Sequence, residues 1–288
     1  MTEATPIRES IELVPFSGGP RWRCVSEPVH ARVRGSILLA PAFAEEMNKT
    51  RRMCARLARM LAADGWKVVR LDLYGCGDSA GEFRDASWAR WVDDLRLEAR
   101  RTSADATRPF WLWCVRAGAL FAPAVLEAAP GANMLLWQPV TTGASHLQQF
   151  LRLSMAAGLL SSRKAQAVTL TPSQQLEAGE TVEVGGYELS PAVASGLRAA
   201  RLQLDGSDGG RVVWLEVSPH DIQGYSPAAA RAVDGLRASG WQVALEQVQG
   251  EPFWQTSEAV ENESLLQRSR ALLRAASGVS PRVESDAS

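Results

Sequence analysis

The sequence predicts an α/β fold, a mostly parallel central sheet with helices on both faces and a segment inserted over the edge that carries the active site in such folds. Three observations carry this. Short apolar runs alternate with stretches whose apolar residues recur every three to four positions. A glycine stops the best-defined helical stretch directly before the next run, at Asp64-Gly65-Trp66. The alternation breaks once, over residues 141–187, and then resumes.

In chain order, residues 1–17 are expected to be a flexible N-terminus, and residues 18–276 one domain. Residues 18–29, with Trp22 and Cys24 alternating against Arg21 and Arg23, read as an early antiparallel strand and hairpin. Ser36–Ala40 is an apolar strand, 42–50 a loop, and 51–65 a helix. The strand from Trp66 follows, at a spacing that suits a right-handed crossover between parallel strands. Residues 75–81 form a glycine-rich turn, Ser87–Leu97 seeds a helix, and Phe110–Val115 is a buried strand with a short apolar helix behind it. Residues 133–140 give another strand of that type. Over 141–187 the pattern is an amphipathic segment, a polar stretch, a helical turn and a hairpin, which marks an inserted cap. Helix, strand (212–217), helix, strand (241–248) and a last helix complete the domain, and residues 277–288 are expected to be disordered.

Composition narrows the function. With 31 basic and 32 acidic side chains the net charge is −1, which disfavours a nucleic-acid partner. No apolar stretch reaches the roughly 18 residues of a membrane span, and the first 16 residues lack the apolar core of a signal peptide, so a cytoplasmic protein is expected. Cys24, Cys54, Cys76 and Cys114 have no paired spacing and are read as free thiols. His30, His146 and His220 lie far apart, so neither a metal site nor a cofactor is expected.

The segment Asp72-Leu73-Tyr74-Gly75-Cys76-Gly77-Asp78-Ser79 after one strand–helix–strand unit resembles the opening of the α/β-hydrolase superfamily. The glycines permit a tight return of the chain, and Asp72 and Ser79 are placed to tie it with local hydrogen bonds. That resemblance implies a Gly-x-Ser-x-Gly elbow after Phe110–Val115. The chain has Cys114-Val115-Arg116-Ala117-Gly118 instead, so the nucleophile position falls on Arg116. A guanidinium stays protonated and has no lone pair for attack. It can bind an anion, helped by helix N–H groups. It can equally pair with Glu45, Glu46 or Glu216 and plug the pocket.

The other catalytic positions also depart from the pattern. After residues 212–217 come Ser218-Pro219-His220-Asp221, where Asp221 is a displaced candidate acid and His220 a candidate base from a loop. After 241–248 the loop Gly250–Gln255 holds Trp254 and no histidine. Cys114 is a candidate thiolate two residues before the elbow apex, or a buried structural thiol. Phe43, Glu45, Glu46 and Asn48 occupy the oxyanion-loop position and are candidates for ligand contact together with Arg116, Glu216 and Trp254; they can also be read as a helix start capped by Asn48 or Thr50.

The phrases AFAEEMNKTRRM, GWKVVRLDLYGCGDSAGEF, LWCVRAGA, LLWQPV, VGGYELSP and GEPFWQT together resemble the exosortase A system-associated hydrolase 2 family. The resemblance implies the α/β-hydrolase fold and a place beside polysaccharide export, with partner proteins of that system. Two functions remain open. One is a non-hydrolytic protein holding an anionic, glycan or acyl small molecule at Arg116. The other is a hydrolase of ester, thioester or acyl-glycan bonds that uses Glu46, His220 and a water.

Overall fold

The computed structural model describes residues 5–161, 170–204, 206, 210–219, 224–256, 258 and 260–276. Eight strands form one sheet in the order β1-β2-β4-β3-β5-β6-β9-β10. They are β1 Ile7–Phe16, β2 Gly19–Pro28, β3 Gly35–Ala40, β4 Trp66–Leu71, β5 Phe110–Val115, β6 Asn133–Trp137, β9 Arg211–Ser218 and β10 Gln242–Gln249. From β4 to β10 all pairings are parallel, while β2 runs antiparallel to both β4 and β1. This is the α/β-hydrolase architecture.

The N-terminus corrects the sequence expectation. Residues 7–16, expected to be flexible, pair along their whole length with β2, from Ile7 opposite Pro28 to Phe16 opposite Gly19. Gly18 and Gly19 make the turn at φ 78° and 119°. An edge strand with little of its surface in the core carries no apolar run, which is why the pattern hides it; Ile11 and Leu13 remain exposed. The hairpin is anchored by charge. Arg21 is fully buried, and its Nε and Nη2 meet the Asp94 carboxylate at 2.8 and 3.1 Å.

Helix α1 (Glu45–Ala63) begins six residues before the expected start, with Ala44 rather than Asn48 or Thr50 at its cap and Glu45 and Glu46 in its first turn. Acidic groups there favour the helix dipole. Its apolar stripe, Met53, Leu57 and Leu61, lies fully buried, and each such side chain contributes about 1.5–3 kcal/mol. Helix α2 (Trp88–Thr102) starts at Ser87, whose side chain accepts from the Arg90 amide. Helices α3 (Ala122–Ala128), α7 (Pro227–Ala238) and α8 (Glu263–Ala276) complete the covering layers. Trp113 and Trp137 pack edge to face at 4.8 Å, and Trp137 Nε1 donates to Ser269 on α8 at 2.8 Å. That contact seats the last helix on the sheet.

Between β6 and β9 the chain forms α4 (Gly143–Ser161), α5 (Pro172–Glu177), the hairpin β7 (Val182–Val184) and β8 (Tyr187–Leu189), and α6 (Pro191–Ala199). This cap meets the carboxyl ends of the parallel strands: the Tyr187 ring lies 5.1 Å from Phe83, and Arg84 pairs with Glu188. Among the described residues no helix is long and apolar enough to cross a membrane.

Candidate functional site

Three non-glycine residues have positive φ among those described: Ala44 (50°), Arg116 (53°) and Gln138 (41°). They lie just beyond the carboxyl ends of β3, β5 and β6, which are neighbours in the sheet. Each such backbone costs about 1–3 kcal/mol, and strain of this kind collects at functional sites. At the centre, β5 turns into a 3-10 turn over Arg116–Phe121. Gly118 makes the turn possible, because a Cβ there would stand 2.2 Å from the Ala40 carbonyl oxygen. The chain thus turns sharply at the end of β5, with Arg116 in a left-handed conformation at the apex of the turn.

Arg116 meets Glu46. Its Nε and Nη2 donate to Glu46 Oε1 at 3.2 and 3.1 Å, and its Nη1 donates to the Gln138 carbonyl at 3.0 Å. The Trp254 ring lies 4.9 Å from the guanidinium carbon, a cation–π contact. Of five N–H donors, three are used by described residues. Gln138, which the sequence does not single out, is fixed in turn by its own side chain, which accepts from the Val217 amide at 2.6 Å. The helix support expected below Arg116 is slight, since the 3-10 turn intervenes and α3 spans seven residues.

His146, on the first turns of α4, is a second residue that sequence reasoning misses. It is buried, its Nε2 lies 4.0 Å from Glu46 Oε2, and its ring packs on Phe43 at 6.0 Å. Burial holds its pKa below the ordinary histidine value and Arg116 adds to that, while Glu46 opposes it. Both of its ring nitrogens, and Glu46 Oε2, have no hydrogen-bond partner among the described residues. The available signal is Phe150 four residues on from a histidine in an amphipathic helix, which puts both on one face; Phe150 does pack on Phe43, at 5.0 Å.

The other candidates separate. Glu45 and Asn48 turn to the cap hairpin: Asn48 Nδ2 donates to the Tyr187 hydroxyl at 2.6 Å, and that hydroxyl donates to Glu45 at 3.3 Å. Burial, then Glu45, pushes the Tyr187 pKa up to about 12. Glu216 does not reach Arg116; it accepts from the Ser226 amide and hydroxyl at 3.3 and 3.2 Å, at the start of α7. Cys114 is fully buried within the sheet, and burial drives its thiol pKa far up, so the thiolate role is not supported. His220 and Asp221 lie outside the described residues. The glycine loop closes locally as expected, with Ser79 Oγ donating to the Asp72 carbonyl at 2.6 Å and Asp72 paired to Arg51 at 3.0 Å.

Phe43, Ala44, Ala117, Trp88 and Trp91 leave a cavity of about 10 Å³, enough for one water. A larger space of about 470 Å³ opens on another face of α4, against α5 and α6, and its walls do not include Arg116 or Glu46.

Residues 31–182, just over half of the chain, match the family described as serine aminopeptidase, S33. The chain belongs to that family. Solved structures agree with this S33 assignment in fold. Est1E from Butyrivibrio proteoclasticus, solved with ferulic acid bound, gives a TM-score of 0.62 at 11% identity over 92% of this chain and 98% of that one. A hyperthermophilic esterase from Pyrobaculum calidifontis gives 0.57 at 13%, over 96% and 87%. A soluble variant of monoglyceride lipase from Saccharomyces cerevisiae, in complex with a substrate analogue, gives 0.56 at 10%, over 93% and 95%. No curated protein matches the sequence significantly. Where the sequence resemblance leads one to expect an elbow serine and a histidine after β10, this S33-family chain has Arg116 and no histidine.

Proposed function

We propose that this chain is a non-hydrolytic α/β-hydrolase-like protein that holds a small molecule at the Arg116 end of its sheet. The observation that carries this reading is the elbow itself: a strained nucleophile backbone, φ 53°, presenting an arginine that Glu46 holds in place. A plug alone gives no reason to keep strained backbone at three adjacent strand ends. Two guanidinium N–H groups remain for a ligand oxygen, of an anionic group, a glycan or an acyl carbonyl.

The phrases from AFAEEMNKTRRM to GEPFWQT support a role beside exopolysaccharide export, with partner proteins of that system, and four free, buried cysteines suit a cytoplasmic setting. A second reading keeps hydrolysis of ester, thioester or acyl-glycan bonds, with water activated by Glu46; the unpartnered Oε2 favours it. One experiment separates the two. Purified protein is assayed against a panel of esters and thioesters, and titrated calorimetrically with anionic and neutral glycan fragments. Binding without turnover upholds the proposal, and saturable turnover of any panel member abolished by E46Q overturns it.

A further inference from the structure

We propose that the gap between Glu46 Oε2 and His146 Nε2 is a subsite for a hydroxyl group, and that the ligand at Arg116 is accordingly a neutral, hydroxyl-bearing molecule of the sugar or polyol class. This rests on the binding reading above and narrows it.

The two atoms stand 4.0 Å apart, too far for a direct hydrogen bond. An oxygen about 2.8 Å from each would close the triangle with ordinary hydrogen-bond lengths. Oε2 and the imidazole nitrogens are buried and unpartnered among the described residues, a costly state for such polar atoms. Their chemistry is complementary to one kind of visitor. Glu46 Oε2 can only accept, so the visitor must donate. His146, whose pKa burial lowers, offers an N–H from Nε2 in one of its two neutral tautomers, and in that tautomer the visitor must also accept. A hydroxyl does both through one oxygen.

Alternative chemistries fit less well. The Arg116 charge is already balanced by Glu46 at 3.1 Å, so the site carries no net positive charge. A carboxylate placed in the gap would face Oε2 at hydrogen-bond distance without a proton to share, and a phosphate would bring its net negative charge against that oxygen. An acyl chain brings neither a donor for Oε2 nor an acceptor for the imidazole N–H. The Arg116 and Glu46 side chains keep 11% and 18% of their exposure, while Oε2 and Nε2 themselves are closed to solvent, so a ligand hydroxyl reaches the gap only when the overlying cap moves. Its lid is the cap, because His146 belongs to α4.

The test compares wild type with H146F, which fills the same space without polar atoms, and with H146Q, which retains an N–H donor. The probes are methyl glucoside and cellobiose, glucuronate and inorganic phosphate, and hexanoate, each titrated calorimetrically into the full chain. The neutral sugars are expected to bind wild type, to bind H146F at least tenfold more weakly, and to bind H146Q within about threefold of wild type. H146F is expected to match or exceed the wild-type urea midpoint, because it removes buried polar atoms that lack partners. A crystal grown with cellobiose should place a sugar oxygen within hydrogen-bond reach of both Nε2 and Oε2. Binding of glucuronate or phosphate but not of the neutral sugars would overturn the subsite and leave the binding reading standing. Equal sugar affinity in wild type and H146F, or a water in the gap that the sugar does not displace, would also overturn it. Absence of binding by every probe, or turnover in the ester panel, would remove both readings.

Discussion

The guanidinium of Arg116 and the carboxylate of Glu46 meet through a single oxygen: Nε and Nη2 both reach Oε1, at 3.2 and 3.1 Å, and Oε2 is left over. A side-on pair would have used both oxygens. The end-on arrangement holds the arginine while keeping one acceptor in reserve, which makes the contact separable by mutation into its structural and its binding part.

R116M tests the structural part. It strips Glu46 of its cation in a largely buried place, and a loss of about 2–4 kcal/mol is expected, below the fully buried range because Glu46 keeps some contact with water. Urea melts measure it. A change under about 0.5 kcal/mol would mean that the pair contributes nothing to the fold.

R116S restores the missing nucleophile in a backbone already shaped for it. No esterase activity is expected, because the loop after β10 supplies no histidine to take the serine proton. A fluorophosphonate probe should label neither wild type nor R116S stoichiometrically; one adduct per chain on the serine introduced at the elbow would reveal a base supplied from elsewhere in the chain.

The four cysteines should be silent in the native protein. Cys114 is fully buried, and burial pushes Cys54 and Cys76 up to about 12. Burial also raises Cys24. Iodoacetamide at about pH 7.5 is expected to modify none of them until urea unfolds the chain, when four adducts per molecule should appear. Native modification of Cys114 would reopen the thiolate role.

Acid should find His146. Its folded pKa is depressed, so the unfolded chain binds the proton more readily, and the stability it contributes is complete above about pH 6.5 and lost as pH falls toward the folded value. Wild type is expected to lose more stability than H146F between about pH 7 and pH 5. Parallel slopes would show that the imidazole is not held neutral by burial. The carboxylates lowered by arginines, Asp64 and Glu9, enter only below that window: burial raises both, but Arg270 and Arg274 at Asp64, and Arg59 and Arg70 at Glu9, outweigh it.

R21M should be the most damaging of these changes. Asp94 is left almost fully buried with only the Tyr74 amide, at 3.1 Å, among the described residues, and a loss of about 3–5 kcal/mol is expected by chemical denaturation. R21M with D94L together should recover most of it.

What the sequence discloses follows from period. The parallel strands are continuous apolar runs because helices cover both faces, and Asp64-Gly65 before Trp66 marks a helix stop without ambiguity. Ile7–Phe16 escapes notice because an edge strand is only partly buried, and α1 reads as starting late because Glu45, Glu46 and Asn48 look like loop without the strand end they cap. The site is half legible. Arg116 stands out by violating a motif, and Glu46 is among its expected partners. Glu216 looks equivalent to Glu46 on sequence position, but only three-dimensional direction shows that it turns to Ser226. His146 is hidden because it reaches the elbow from the cap, whose placement no local pattern encodes.

Asp64, at the end of α1, is gripped by both Arg270 and Arg274 of α8, the former through Nε at 2.7 Å. The partners are 206 and 210 positions apart. On the ribosome, the first helix of the sheet is therefore complete long before the arginines that neutralise its terminal carboxylate have been made. The carboxylate must wait in water, and the last helix, seated through Ser269 against Trp137, can close the domain only after that helix has itself left the exit tunnel. A truncation that stops translation short of α8 would leave β6 and α1 without their cover, and the nascent protein in the hands of chaperones.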